Sequence, residues 1–137
     1  MAVGPARWRV RLLGAVEAHG PAGTITRWPS RAVAALLARL ALAPERAHPR
    51  EELVELLWPG VALDIGRNRL RQALSALKTL LEPPGPHPAP VLAADRHAVR
   101  VLPGALACDA RELLAQVRAG QPLAGAAAAA IDELMPG

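Results

Sequence analysis

Near its start the chain alternates, with Trp8, Val10 and Leu12 on one side and Arg7, Arg9 and Arg11 on the other. That two-residue period predicts a half-buried strand. A second strand is expected over residues 15–19. Gly20-Pro21-Ala22-Gly23 reads as a turn and Thr24-Ile25-Thr26 as a third strand, so a small antiparallel sheet opens the chain. The period then lengthens. Ser30 is a good N-cap, and Val33, Leu36, Leu37 and Leu40 recur at helical spacing as far as Leu42, with Pro44 ending the run. Pro49 suits the first position of a second helix, Glu51 and Glu52 follow where the positive end of the helix dipole favours acids, and Trp58-Pro59-Gly60 stops it after Leu53, Leu56 and Leu57. A connector over residues 60–63 leads to Asp64, the expected cap of the longest helix, 65–81. Leu70, Leu74, Leu77 and Leu81 make one stripe along it. Residues 82–90 are Pro-rich and predict a loop. Two strands, 91–94 and 99–102, then flank the hairpin turn Asp95-Arg96-His97-Ala98. A further helix is expected from Asp109, as cap, to Arg118, and the Ala-rich segment 126–134 is compatible with another.

The longest helix carries the chemistry. Projected at about 100° per residue, its leucines gather on one side, and Asn68, Arg71, Gln72, Ser75 and Thr79 fall on the other. Arg67 and Lys78 flank that outer face on one edge and Arg69 lies toward the opposite edge. Arg can reach guanine O6 and N7 with two hydrogen bonds, and Asn and Gln can do the same to adenine N6 and N7. Ser, Thr and Lys commonly contact phosphates. Residues 64–81 hold four bases and one acid, whereas 45–58 hold two bases and four acids, so positive charge is concentrated on this helix. A short helix, a brief turn, a longer basic helix and then a hairpin is the layout of a winged helix-turn-helix. The expectation is therefore an α+β fold with an N-terminal antiparallel sheet, a three-helix core, a C-terminal hairpin wing and a trailing helix. In that layout Arg96 and His97, at the hairpin tip, sit near DNA backbone or an adjacent minor groove. The domain is expected over 7–104, with 105–137 as a C-terminal helical extension.

Composition narrows the partner. Of 137 residues, 52% are apolar, so a folded core is expected, and the only aromatics are Trp8, Trp28 and Trp58. That leaves no aromatic platform for unpaired bases, which counts against single-stranded nucleic acid. Lys plus Arg is 16 against 12 for Asp plus Glu, a net charge of +4, which suits a polyanionic partner without demanding one. The lone cysteine, Cys108, permits no intrachain disulfide and points to a reducing cytoplasm. No apolar stretch predicts a signal peptide or a membrane span. Catalysis is not expected, and neither a cofactor nor a metal is. His19, His48, His87 and His97 are scattered without ligand spacing, no Gly-rich phosphate loop occurs, and Cys108 reads as a small buried residue.

The chain resembles the N-terminal DNA-binding domain of the Streptomyces antibiotic regulatory protein type, also found ahead of bacterial transcriptional activation domains, within the OmpR/PhoB-like winged helix group. The resemblance spans about residues 8–118. It rests on Arg9-Val10-Arg11-Leu12-Leu13-Gly14, on Ser30-Arg31-Ala32 with Ala35-Leu36-Leu37, and on Arg50-Glu51-Glu52-Leu53 with Leu56-Leu57-Trp58-Pro59. Most telling is the run from Arg67-Asn68-Arg69-Leu70-Arg71-Gln72 to Lys78. Asp95-Arg96 with Val99-Arg100-Val101, and Cys108-Asp109 with Glu112-Leu113-Leu114, complete it. The resemblance implies a third helix reading the major groove through Asn68, Arg71, Gln72 and Ser75. It also implies a connector, residues 60–66, that meets RNA polymerase, and protomers set side by side on direct repeats. The tail 131–137 resembles the start of the helical activation domain that follows in the family. One departure is the run Ala76, Thr79 and Leu80 around Lys78, where the family often carries more bases. It motivates a competing reading, a protein-interaction winged helix whose DNA face has decayed.

Overall fold

The computed structural model describes residues 7–20, 23–82 and 90–118. Its architecture is α+β, with four helices and two small sheets. Strands β1 (Trp8–Arg11), β2 (Glu17–Gly20) and β3 (Gly23–Ile25) form an antiparallel meander, with Arg9 opposite His19 and Ala18 opposite Ile25. The alternation read at the start of the chain holds, because Trp8 and Val10 are buried and Arg9 and Arg11 exposed. The second and third strands start and end within two residues of expectation. Pro21 and Ala22 of the expected turn lie outside the described residues.

Helix α1 (Arg31–Leu42) has the expected limits. Ser30 Oγ accepts from the Val33 backbone N–H at 3.2 Å, and Val33, Leu36, Leu37, Leu40 and Ala41 are buried. Helix α2 (Arg50–Leu57) begins one residue later than Pro49 suggested. Pro49 is extended, with ψ of 137°, and with His48 forms a two-residue strand, β4 (His48–Pro49). Helix α3 (Leu63–Leu81) begins two residues earlier than expected. Ala62 is its N-cap without a side-chain bond, and Asp64 lies inside the first turn, where the dipole still favours an acid. Four of the seven residues of the segment 60–66 are thus helical. Gly66 explains the tight junction of α2 and α3. A Cβ there would strike the Val54 side chain, and α2 and α3 pack closely at that point.

The far end of α3 is tied down by polar groups. Trp8 Nε1 donates to the Leu81 carbonyl at 3.1 Å, and one Glu82 carboxylate oxygen accepts from the backbone N–H groups of Val91 and Leu92. The hairpin of β5 (Leu92–Ala94) and β6 (Ala98–Val101) follows, shifted by one residue from the expected strands. It pairs with β4, His48 opposite Val99, in the order β4-β6-β5. The chain then returns to the first sheet. Strand β7 (Leu106–Cys108), not anticipated from the sequence, runs parallel to β1 with Trp8 opposite Leu106. Helix α4 (Asp109–Arg118) packs against β1, and Asp109 accepts from the Leu12 and Leu13 N–H groups. The core is aliphatic: Leu36, Leu37, Leu40, Leu53, Leu70 and Leu77 are fully buried. The segment 126–134 lies outside the described residues, as does most of the Pro-rich loop. No helix among the described residues is long and apolar enough to cross a membrane.

Candidate nucleic-acid interface

The geometry begins with the phase of α3. Leu70, Ala73, Leu74, Leu77 and Leu81 are buried, so the opposite side must face outward. Asn68, Arg71, Gln72, Ser75 and Thr79 are all exposed, and so are Arg67 and Arg69. Lys78 is half-buried. Along the strip, Arg71 donates to Asn68 Oδ1 at 3.1 Å, one turn back, and the Thr79 hydroxyl donates to the Ser75 carbonyl at 3.0 Å. Both contacts are local and hold no neighbouring element over the face.

Two shoulders flank the strip. On one edge, the loop before α1 brings Pro29 beside Gln72, Ser75, Ala76 and Leu80, which together line a shallow groove of about 650 Å³. Arg69 faces a recess between this loop and α1. On the other edge, Arg67 and Arg71 share a cleft of about 600 Å³ with Arg96 and His97 of the hairpin turn and with Arg50 and Glu51 of α2. The structure therefore brings together two groups that were separate in the sequence, the helix edge and the hairpin tip. It does not bring Lys78 into either cavity.

Arg50 is the residue the sequence reading missed. Its backbone N–H donates to the His97 carbonyl at 2.9 Å and its Nε to the Asp95 carbonyl at 2.6 Å. The turn is also closed on itself. Asp95 Oδ1 accepts from the His97 and Ala98 N–H groups at 2.7 and 2.8 Å, and these bonds hold its carboxyl below the ordinary range. The position of Arg96 is thus fixed by the pairing of β4 with β6 and by Arg50, the first residue of α2. A two-residue strand carries no periodic signal, so only the Pro49-Arg50 junction hinted at it.

Charge on the cleft is one-sided. Four arginines and His97 meet a single acid, Glu51, which pairs with Arg67 at 2.8 Å. The other acids of this end of α2 look elsewhere. Glu52 turns toward α1, accepting two 2.7 Å bonds from Arg46 and one of 3.2 Å from Arg39. Hydrogen bonds from Arg46, more than simple charge, pull the Glu52 carboxyl down to about 2. Cys108 sits buried under α4, with its thiol pushed up by burial. Among the described residues no group of three or more His, Cys, Asp or Glu side chains is placed to hold a metal. No protein-family model, curated protein or solved structure matches this chain.

Proposed function

We propose that the chain is a winged helix-turn-helix that binds double-stranded DNA and recognises its sequence, serving in transcriptional regulation. In this reading α3 enters the major groove, and the turn between β5 and β6 lies over the adjoining backbone or minor groove. One observation carries it. The outward strip of α3 is uncovered among the described residues, and Arg67 and Arg71 on its basic edge share a cleft with Arg96 and His97 of the hairpin turn. At about 10–12 Å across with its side chains, a helix fits a groove about 12 Å wide. Arg71, Gln72 and Asn68 are the base-reading candidates, since their planar ends match purine edges. Arg67, Arg69, Ser75, Lys78 and Thr79 suit phosphates, as do Arg96 and His97. Contact with RNA polymerase through residues 60–66, and side-by-side binding on direct repeats, are proposals that rest on the family resemblance alone.

Selection of duplexes from a random pool tests the reading, followed by affinity against salt for the selected site. Phosphate contacts release counterions, so log affinity falls by about 0.9 per contacted phosphate for each unit of log salt. Recovery of a common site with steep salt dependence supports the proposal. A second reading draws on Leu56, Leu63 and Ile65, each 44–53% exposed on either side of the α2–α3 connector. Apolar side chains left in solvent suit a protein partner. Flat or absent binding across random duplexes favours that interaction domain.

A further inference from the structure

Glu51 stands out as an acid in the wrong place for a DNA-facing cleft. It is two-thirds exposed, lines the cleft, and pairs with Arg67 by one contact, Oε1 to Nη2 at 2.8 Å. The neighbouring Glu52 makes a two-pronged pair with Arg46 instead. An exposed single-contact ion pair is weak and easily exchanged. Its geometry is also informative, because a carboxylate oxygen and a phosphate oxygen accept from a guanidinium in the same way. The cleft lies between the strip of α3 and the hairpin turn. When a helix fills a groove, that edge faces the groove wall, which is a phosphate strand.

We propose that Glu51 holds the place of a DNA phosphate. In the free chain it neutralises Arg67, and on a duplex a phosphodiester oxyanion takes its position among Arg50, Arg67, Arg71 and Arg96. Glu51 then faces a like charge and sets affinity downward. Because a phosphate contact carries no sequence information, this acid adjusts the strength of binding and leaves the choice of sequence alone. The inference rests on the duplex-binding reading.

The test compares the chain with Glu51→Gln on a panel of duplexes, with Glu55→Gln as a control. Glu55 is an exposed acid on the same helix that does not line the cleft, so it changes net charge equally. Glu51→Gln is expected to tighten binding to every duplex by about threefold to tenfold and to steepen the salt slope by about one phosphate equivalent. The order of preference among sequences stays as it was. The gain shrinks when Arg67→Ala is added, as a coupled pair requires. A Glu51→Gln effect no larger than that of Glu55→Gln overturns the proposal. So does weaker binding, or a changed order of preference, which would make Glu51 a guide that aims Arg67 at a base. These results leave the duplex-binding reading standing, because the unaltered chain still binds with steep salt dependence. Loss of both readings has a separate signature, no duplex binding by either form. Inorganic phosphate, titrated at constant ionic strength and followed by the arginine side-chain NMR signals, separates the two sources of the anion. Small unsaturated shifts fit a duplex phosphate. Saturation at low millimolar phosphate assigns the cleft to the free ion and overturns the proposal.

Discussion

Replacing Gly66 by Ala is expected to destabilise the chain, although the usual rule for helices points the other way. In an open helical position this change gains about 1 kcal/mol, because Ala loses less backbone freedom than Gly. Gly66 is not open. It is buried in the second turn of α3, and a methyl added there falls inside the volume of the Val54 side chain, itself buried in α2. Val54 lies on a helix and is stiff at χ1, so it has little freedom to swing away. Either the helices part or Val54 leaves its rotamer, and overpacking of this kind costs about 1–3 kcal/mol. So close an encounter takes the upper figure, and subtracting the helical gain leaves a net loss of about 2 kcal/mol. For a folded unit of this size that lowers Tm by about 8 °C. Thermal and urea unfolding of Gly66→Ala, Val54→Ala and the double variant provide the measurement. Val54→Ala alone removes two methyl groups from the core and should cost about 2 kcal/mol. The double variant should lose clearly less than the two singles together, because the new methyl enters the space Val54 vacates. A stabilised Gly66→Ala, or simple additivity, refutes the close crossing of α2 and α3. The crossing matters to the proposed duplex binding because it sets the tilt at which α3 presents its outer strip.

Leu74→Ala should destabilise by about 2–5 kcal/mol, since Leu74 is almost wholly buried beneath α3, and an unchanged melting temperature means the phase of α3 is wrong. Arg71→Ala, on an exposed side chain, should leave stability alone but weaken binding to the selected duplex by about 1–3 kcal/mol and relax preference at one position of the site. Equal weakening on all sequences makes Arg71 a phosphate contact. The folded pKa of Glu52, about 2, lies below its ordinary value of 4.5, so its pairing with Arg46 and Arg39 stabilises the fold fully above 4.5 and is lost as pH falls toward 2. The melting-temperature gap between the chain and Glu52→Gln should therefore shrink across that window, and a gap independent of pH contradicts the pairing.

Much of the scaffold is written locally. Helix α1 starts and stops where Ser30 and Pro44 say it should, because a cap bond and a ring without an N–H act over a single turn. The inner and outer sides of α3 follow from leucine spacing alone, since a helix turns by a fixed angle per residue. Its first residue did not follow. Asp64 favours a helix start as cap or as first-turn acid, and only the packing of Gly66 on Val54 selects between them. Strands β4 and β7 were invisible for a different reason. Two or three residues are too few to show a period, and each is held by a partner about 50 to 100 positions away in the chain, Val99 for His48 and Trp8 for Leu106. The pairing of β4 with β6, together with Arg50, fixes the hairpin against α2 and so creates the cleft shared by Arg67, Arg71 and Arg96. The sequence determined which side chains each element offers, because propensity, capping and periodicity operate between near neighbours. Which of those side chains meet was decided by the folded chain, because closing distant segments becomes favourable only when the whole core is buried together.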